Sequence, residues 1–151
     1  LLLYMSYKGI YRPSNPKKYK GDSQNIIYRS LWERRFMKWC DENASVYKWG
    51  SEEVVVPYRS PVDKRVHRYF VDFLIVIKNK KGEFETLLIE IKPKKQCSAP
   101  KKESKTKKRY LSELKTYVIN KAKWDAAEDY AIHKGWKFTI LTEDNIFGEK
   151  K

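Results

Sequence analysis

The alternation of apolar and polar residues predicts one helix near the start of the chain and several strands after it. From residue 30 to about residue 43, apolar side chains recur at the spacing of one helical face, and Ser30 stands at the N-cap position. The predicted buried face consists of Trp32, Phe36, Trp39 and Cys40. Val-rich and other apolar runs over 52–58, 69–77 and 84–92 predict three strands in a meander.

The second half of the chain predicts helices and one more strand. A helical pattern runs from Tyr110 to Val118, and a second helix that begins at Asn120 is expected to end at Gly135. Residues 136–141 predict a last strand, and the tail from Glu143 is polar. Strands and helices in this order predict a mixed α/β fold.

The first 25 residues follow neither a helical nor an alternating pattern, and we predict that residues 1–25 form an extended basic arm. Tyr11 and Tyr19 within it either stack on bases, dock on a partner protein, or pack onto the chain's own domain. Residues 26–151 are expected to form a single domain that contains a basic, mobile loop at 93–109.

The turn between the second and third predicted strands fixes their register. Lys80-Lys81-Gly82 fits a three-residue hairpin loop with glycine in the left-handed conformation. In that register Asp72 lies opposite Glu90, and Asp72, Glu90 and Lys92 share one face of the strand pair. Leu74, Val76 and Leu88 lie beside them, and the opposite face carries Val71, Phe73, Ile75 and Ile77.

Two opposed carboxylates in a buried strand pair repel each other, so something must compensate their charge. Lys92 could do so by ion pairing. Alternatively, the two carboxylates offer the hard oxygen ligands that Mg²⁺ prefers, and Lys92 would then orient or help to deprotonate an attacking water. Glu33 also has two readings. Ser30-x-x-Glu33 is a capping box, which by itself explains a glutamate at this position. Alternatively, Glu33 borders the apolar face and could point toward a pocket at the edge of the sheet, where it would take part in catalysis. Glu52 and Glu53 are expected to be solvated charges at a strand end.

The charge is concentrated in two short segments. The chain has 151 residues with 33 Lys plus Arg, 19 Asp plus Glu and a net charge of +14. Residues 1–21 contain five basic and no acidic residues, and residues 92–109 contain nine basic residues and one acidic residue. Clustered cations favour an anionic polymer because they release its counterions. The candidate DNA-binding residues are Lys17, Lys18, Lys94, Lys95, Lys101, Lys102, Lys105, Lys107, Lys108, Arg109, Lys121 and Lys123.

Several classes of protein are not expected. No apolar run approaches the ~20 residues of a membrane span. Cys40 and Cys97, the only cysteines, are expected to be free thiols in a reducing cytosol, and neither lies at a zinc-ligand spacing from His67 or His133.

The order of the acidic residues and of the elements that carry them resembles a known superfamily. Glu33, then Asp72, then Glu90-Ile91-Lys92 in an αβββαβ order resembles the PD-(D/E)xK nucleases, which have the restriction-endonuclease-like fold. Longer stretches resemble the head-completion proteins of large contractile-tailed bacteriophages, which are similar to the endonuclease subunit of heteromeric transposases. These stretches are residues 28–36, 49–58, 67–73, 89–93, 120–124 and 138–143.

The resemblance implies a mixed central sheet flanked by helices and a role for each acidic residue. Asp72 and Glu90 would ligate Mg²⁺ together with the Ile91 carbonyl, with Mn²⁺ as a possible substitute. Lys92 would position the attacking water, and Glu33 would complete the site or support a second metal. Val71 stands where the superfamily name has proline, a change that removes no ligand.

The resemblance also implies a function. We expect a phage head-completion protein with a metal-dependent DNA endonuclease site that acts on or grips the DNA end at the packaging vertex. Its expected partners are double-stranded DNA and portal or head–tail connector proteins, first in the host cytoplasm and then in the virion. The alternatives are a non-catalytic head-completion protein that caps the DNA, and a transposase or repair endonuclease.

Overall fold

A computed structural model describes residues 6–148 of the chain. It contains eight strands, three α-helices and two short 3₁₀ turns at Pro16–Lys18 and Lys94–Cys97. The strands are β1 (Ser6–Tyr11), β2 (Ile26–Ser30), β3 (Val46–Ser51), β4 (Val55–Arg59), β5 (Val66–Phe70), β6 (Phe73–Lys78), β7 (Phe84–Ile91) and β8 (Lys137–Leu141). The helices are α1 (Leu31–Glu42), α2 (Lys107–Lys134) and α3 (Glu143–Phe147).

The central sheet has four strands in the order β3-β6-β7-β8. The pairs β3–β6 and β6–β7 are antiparallel, and β7–β8 is parallel, so the sheet is mixed. One face packs on α1 through residues such as Phe73, Ile75 and Ile89. The other face packs on α2 through Leu74 and Leu88. The predicted mixed α/β fold with a mixed sheet between helices is therefore confirmed.

The hairpin register is confirmed. In β6–β7, Phe73 pairs with Ile89 and Lys78 with Phe84, as the predicted turn requires. Gly82 has a φ of 80° in the turn. One face assignment is wrong: Val71 packs with the α2-side cluster and not with Phe73, because the chain leaves one sheet and enters another between β5 and β6.

The predicted meander of three strands is wrong. The run over 69–77 divides into β5, which pairs with β4 in a separate two-stranded sheet, and β6, which joins the central sheet. The central sheet instead begins with β3, a strand that the pattern did not predict. The predicted helices also differ, since α2 is one continuous helix in which Asn120 is an interior residue. Gly135 does close it, with a φ of 74°.

The prediction of an extended N-terminal arm is wrong for the residues that the structure describes, and residues 1–5 lie outside them. β1 pairs with β2, and Tyr11 and Tyr19 are buried in the core, so of the three readings of these tyrosines the structure supports packing on the chain's own domain. The buried Asp41 carboxylate on α1 accepts hydrogen bonds from the Tyr11 hydroxyl and from the Ser14 and Asn15 amides, at 2.6–2.9 Å. Residues 6–20 are therefore part of the domain.

Two smaller expectations also change. Trp39 is 45% exposed and stacks on Phe36 instead of being buried beside it. The polar tail contains α3, whose Phe147 packs edge-on against Trp32. The segment at 93–109 contains a 3₁₀ turn and enters α2 at Lys107, and its mobility stays a prediction. Among residues 6–148, no helix has the length and apolar character needed to cross a bilayer.

Candidate active site

Asp72 and Glu90 meet at the end of the β6–β7 pair. Asp72 lies one residue before β6, and its Oδ2 accepts a hydrogen bond from the Ile91 amide at 2.8 Å. Its own carbonyl accepts a hydrogen bond from the Glu52 amide at 3.1 Å. The charge of the Glu90 carboxyl group acts on Asp72. This influence and the β6–β7 register agree with the prediction that the two side chains share a face.

The electrostatics of this pair are unfavourable when both groups are ionised. Burial, followed by the charge and the hydrogen bond of Glu90, raises the pKa of Asp72 well above its ordinary value. The Ile91 amide opposes this rise because it stabilises the ionised form, but it is the smaller influence. A carboxyl group that holds its proton in this way beside a second carboxyl group is a site that a cation can occupy once the proton leaves.

Two aromatic residues flank Glu90. The indole Nε1 of Trp124, on α2, donates a hydrogen bond to Glu90 Oε2 at 3.0 Å, and both residues are buried. The Tyr69 hydroxyl is buried beside Glu90 without a hydrogen bond of good geometry in the described part of the chain. Burial, and then the charges of Glu90 and Asp72, raise the pKa of Tyr69. Trp124 and Tyr69 were not predicted as site residues, although both lie in stretches that carried the resemblance.

Glu33 belongs to the helix cap, one of the two readings that the sequence left open, and its part in a metal site stays a prediction. Its amide donates to Ser30 Oγ at 3.1 Å, as expected for a helix N-cap, and its Oε2 accepts from the Ser30 hydroxyl at 3.2 Å. The side chain is buried, and burial raises its pKa. Its charge also acts on Asp72, so Glu33 lies at the border of the carboxylate pair as well as in the cap.

Glu52 follows directly on β3, at a strand end as predicted, and its side chain is partly exposed but ion-paired. It lies before β4 in the left-handed conformation, with a φ of 56°. Its two carboxylate oxygens accept from the Arg29 guanidinium at 3.0 and 3.2 Å, and its charge reaches Glu33. The sequence pattern did not predict the contact between Glu52 and Arg29, because the position of Glu52 depends on the turn between β3 and β4.

Lys92 does not neutralise the carboxylate pair by direct contact. Its amide donates to the Leu141 carbonyl at 3.0 Å, which fixes the backbone next to β8. The half-buried ammonium makes no ion pair with any described residue. It lies near Cys97, where its charge opposes the rise in thiol pKa that burial causes. The ion-pair reading is therefore not supported.

The candidate ligands are few, but their oxygen atoms suit a hard divalent cation. Asp72 and Glu90 supply carboxylate oxygens, and the Ile91 carbonyl is the adjacent main-chain oxygen. Within residues 6–148, no group of three or more His, Cys, Asp or Glu side chains is arranged to hold a metal. A metal here would thus rely on two carboxylates, with water or phosphate as its remaining ligands.

The predicted DNA-binding cations differ in whether their charged groups already contact other residues of the chain. Lys18 Nζ donates to the carbonyls of Asp41 and Asn43 at the end of α1, a structural role that the sequence did not suggest. Four more form ion pairs with acidic side chains: Lys94 with Asp144, Lys105 and Arg109 with Glu113, and Lys121 with Asp125. The ammonium of Lys123 lies over the rings of Tyr58 and Tyr69. The exposed cations without an ion pair among the described residues are Lys17, Lys95, Lys101, Lys102, Lys107 and Lys108.

The basic segment also borders a pocket. A cavity of about 520 Å³ lies between this segment and the first turns of α2, and Lys95, Lys101, Lys105 and Tyr117 contribute to its wall. Neither Asp72 nor Glu90 lines it, so the cavity is separate from the carboxyl pair.

Comparison with known proteins places these features in context. Residues 43–143 match the family described as TnsA-like endonuclease N terminal. The chain is also 42% identical over 146 residues to the head completion nuclease of Enterobacteria phage T4, covering 94% of this chain and 95% of the relative. The TnsA-like match covers α2, β3 to β8, Asp72, Glu90 and Lys92, and it begins after Glu33.

Proposed function

Since the chain belongs to the TnsA-like endonuclease N-terminal family, we propose that it is a DNA endonuclease of phage head completion whose site is built on Asp72, Glu90 and Lys92. The nuclease role rests on the family and on the similarity to a head completion nuclease. The assignment of residues rests on the geometry described above. Phosphodiester hydrolysis in double-stranded DNA is the proposed reaction.

The observation that carries the proposal is the carboxyl pair itself. The charge of Glu90 acts on Asp72 in partly apolar surroundings, and neither carboxyl group has an ion-paired cation among the described residues. Such an arrangement costs stability unless a cation is bound there during function. Lys92 and the exposed basic segment lie next along the chain, as a phosphate substrate requires.

We propose Mg²⁺ as the metal, with Mn²⁺ as a substitute, held by Asp72, Glu90 and the Ile91 carbonyl. Glu33 would support it from the edge of the site. When bound, a divalent ion supplies positive charge that stabilises the phosphate as charge develops on it. Trp124 would keep the Glu90 carboxylate in place, and the Lys92 ammonium would bind the phosphate and orient the attacking water.

The exposed lysines near the site would supply a grip on DNA that does not depend on sequence. Lys95, Lys101, Lys102, Lys107 and Lys108 follow the strand that carries Glu90 and Lys92, and each lacks an ion pair among the described residues. Contacts of this kind go to phosphates, so they set orientation and affinity. We propose that the protein holds the DNA end in this way at the packaging vertex, beside portal or connector proteins.

Cleavage of DNA by the full chain tests this proposal. Purified protein is incubated with linear and supercoiled plasmid in Mg²⁺, Mn²⁺ or EDTA, and Asp72→Ala and Glu90→Ala are compared with Glu83→Gln. Glu83 is an exposed acidic residue at the far end of the same hairpin. We expect metal-dependent nicking by the wild type and by Glu83→Gln, and a loss of at least 100-fold in the other two variants.

The same assay separates cleavage from capping. Binding of DNA without cleavage in either metal would favour the non-catalytic alternative. Equal cleavage by wild type and Glu90→Ala would contradict the assignment of the site.

A further inference from the structure

The β4–β5 sheet, which we call the ribbon (residues 55–70), stands apart from the central sheet. Val56 pairs with Tyr69 and Tyr58 with His67, and Val56, Tyr58 and Tyr69 are buried against α2. The two strands are joined by a turn in which the Ser60 amide donates to the Arg65 carbonyl at 2.9 Å. One face of the ribbon is thus anchored, and the alternate residues face away from the domain.

The outer face of the ribbon is apolar and exposed. Its cross-strand pairs are Val55–Phe70, Pro57–Arg68 and Arg59–Val66. Phe70 is 44% exposed and Val66 is 61% exposed. The Arg68 guanidinium lies over the Phe70 ring at 5.6 Å. A group of exposed apolar side chains of this size on a small domain is typical of a contact surface.

The ribbon is also strongly basic, although the longer segment that contains it, residues 22–91, is nearly neutral. It contains four basic residues, Arg59, Lys64, Arg65 and Arg68, and one acidic residue, Asp63. Asp63 pairs with His67 at 2.7 Å, whereas the four basic side chains make no ion pair with any residue between 6 and 148. Residues 22–91 are close to neutral as a whole only because the carboxylates near the site offset the ribbon.

The ribbon leads directly into the site. β5 ends at Phe70, and Asp72 follows two residues later, so the base of the ribbon lies about 7 Å from Asp72 along the chain. The Val71 amide donates to the Val54 carbonyl at 3.1 Å and fixes this junction. The base of the ribbon therefore adjoins the carboxyl pair. A two-stranded ribbon fits the major groove of duplex DNA, which is about 12 Å wide.

We propose that the ribbon is a DNA-contacting element that enters a groove next to the scissile phosphate. Arg59, Arg65 and Arg68 contact phosphates. Val66 and Phe70 contact sugars and base edges. This proposal rests on the proposed function, in that DNA is the substrate. Charge decides between DNA and a protein partner: four cations without an ion pair among the described residues, around an apolar strip, match a polyanion with apolar edges.

Fluorescence anisotropy with the full chain tests the proposal. A labelled 25-base-pair duplex of mixed sequence is titrated in EDTA, where a metal nuclease does not cut, at several NaCl concentrations. Arg59→Gln/Arg68→Gln is compared with Lys80→Gln/Lys81→Gln, which removes the same charge from the tip of the β6–β7 hairpin. We expect the ribbon variant to bind about tenfold more weakly at 0.1 M salt, and its salt slope to fall by about 1.8.

Arg59 requires a second variant, because its guanidinium also donates to the Lys64 carbonyl at 2.6 Å and supports the turn. Arg65→Gln/Arg68→Gln removes two charges and keeps that bond, so it should reproduce the effect. Thermal melts of each variant confirm that the ribbon is folded.

The possible outcomes are distinguishable. If the wild type does not bind DNA, the proposed function itself fails. If the wild type binds and both ribbon variants match the hairpin control, the ribbon proposal is overturned. It is also overturned if the wild type sediments as a dimer that Val66→Glu dissociates while DNA affinity is unchanged, since the outer face then serves a second copy.

Discussion

The carboxyl pair derives its character from the residues that surround it. Leu88, Tyr69 and Trp124 exclude water from one side of Glu90, while a single indole N–H satisfies one of its oxygens. A buried carboxylate with one donor has free lone pairs for a further ligand. The same surroundings that make the pair costly in the metal-free protein thus prepare it to bind a cation, and both effects can be measured with single substitutions.

Trp124→Phe should impair the site while it preserves the packing. Phenylalanine keeps an aromatic ring on α2 but removes the donor at 3.0 Å from Glu90 Oε2. Partners that orient metal ligands are typically worth 10–100-fold in metal affinity or activity. We therefore expect Mn²⁺ affinity, measured by calorimetry, and DNA cleavage to fall by at least tenfold, with a loss of about 1–2 kcal/mol in unfolding free energy.

Trp136→Phe is the matched control for that experiment. Trp136 packs against Tyr130 in the same cluster, away from the carboxyl pair. If Trp136→Phe weakens Mn²⁺ binding as much as Trp124→Phe does, the indole–carboxylate bond does not position Glu90.

Asp72→Asn should stabilise the metal-free protein at high pH. Because the pKa of Asp72 is raised in the folded state, the folded protein binds this proton more tightly than the unfolded chain does. The resulting stabilisation is complete below the ordinary pKa and is lost as the pH rises through the raised value. Asparagine is uncharged and can still accept from Ile91, so the variant should gain about 1.4 kcal/mol over the wild type for each pH unit between the two pKa values.

Urea unfolding in EDTA across pH 4–9 measures this difference. Asp129→Asn, on the exposed face of α2, serves as the control and should follow the wild type. A constant difference between Asp72→Asn and the wild type at all pH values would contradict the raised pKa.

At the scale of elements, the parts that local chemistry determines were predictable. Gly82 in the left-handed conformation fixed the β6–β7 register, and the register alone placed Asp72 opposite Glu90. Ser30 and Gly135 marked helix ends for the same kind of reason. Because the carboxyl pair follows from one turn and one alternation, the centre of the candidate site could be read from the sequence.

The remaining elements depend on contacts between distant residues. β1 forms because Asp41, thirty positions away from Tyr11, satisfies the donors of the N-terminal segment. The strand predicted at 69–77 divides because its first residues belong to β5, which pairs with β4. The Trp124–Glu90 bond joins residues 34 positions apart. No local pattern contains these partners, so the N-terminal strand, the ribbon and the support of Glu90 could not be predicted.

Asp41→Ala should release the N-terminal segment. The substitution leaves the Tyr11 hydroxyl and the Ser14 and Asn15 amides without their acceptor. An unsatisfied buried group such as the Tyr11 hydroxyl costs about 1–3 kcal/mol, and the loss of each part-buried amide hydrogen bond adds about 1 kcal/mol. We expect a loss of about 3 kcal/mol or more in unfolding free energy. Hydrogen exchange should accelerate most at residues 7–20. Glu42→Ala, its exposed neighbour on α1, should change neither quantity appreciably, and uniform acceleration over the whole chain in Asp41→Ala would contradict a local anchor.

At the scale of the whole molecule, basic and acidic residues occupy different regions. Exposed lysines after β7 and the cations of the ribbon flank an acidic centre formed by Asp72 and Glu90, with Glu33 at its border. The acidic centre alone would repel DNA, and the basic surroundings alone would bind it without chemistry. A divalent cation reconciles the two, because it neutralises the centre and provides ligand positions for phosphate.

Metal binding should therefore stabilise the whole fold. A ligand that binds only the folded state at 100 times its dissociation constant adds about 2.7 kcal/mol, or roughly 5–10 °C in Tm for a domain of this size. We expect this shift with Mn²⁺ in thermal scans of the wild type, and a larger shift at pH 8 than at pH 5.5, because the cation must displace the proton that Asp72 binds with its raised pKa. Glu90→Gln should show almost no shift, whereas Glu83→Gln should match the wild type. An equal shift in Glu90→Gln would place the cation elsewhere on the molecule.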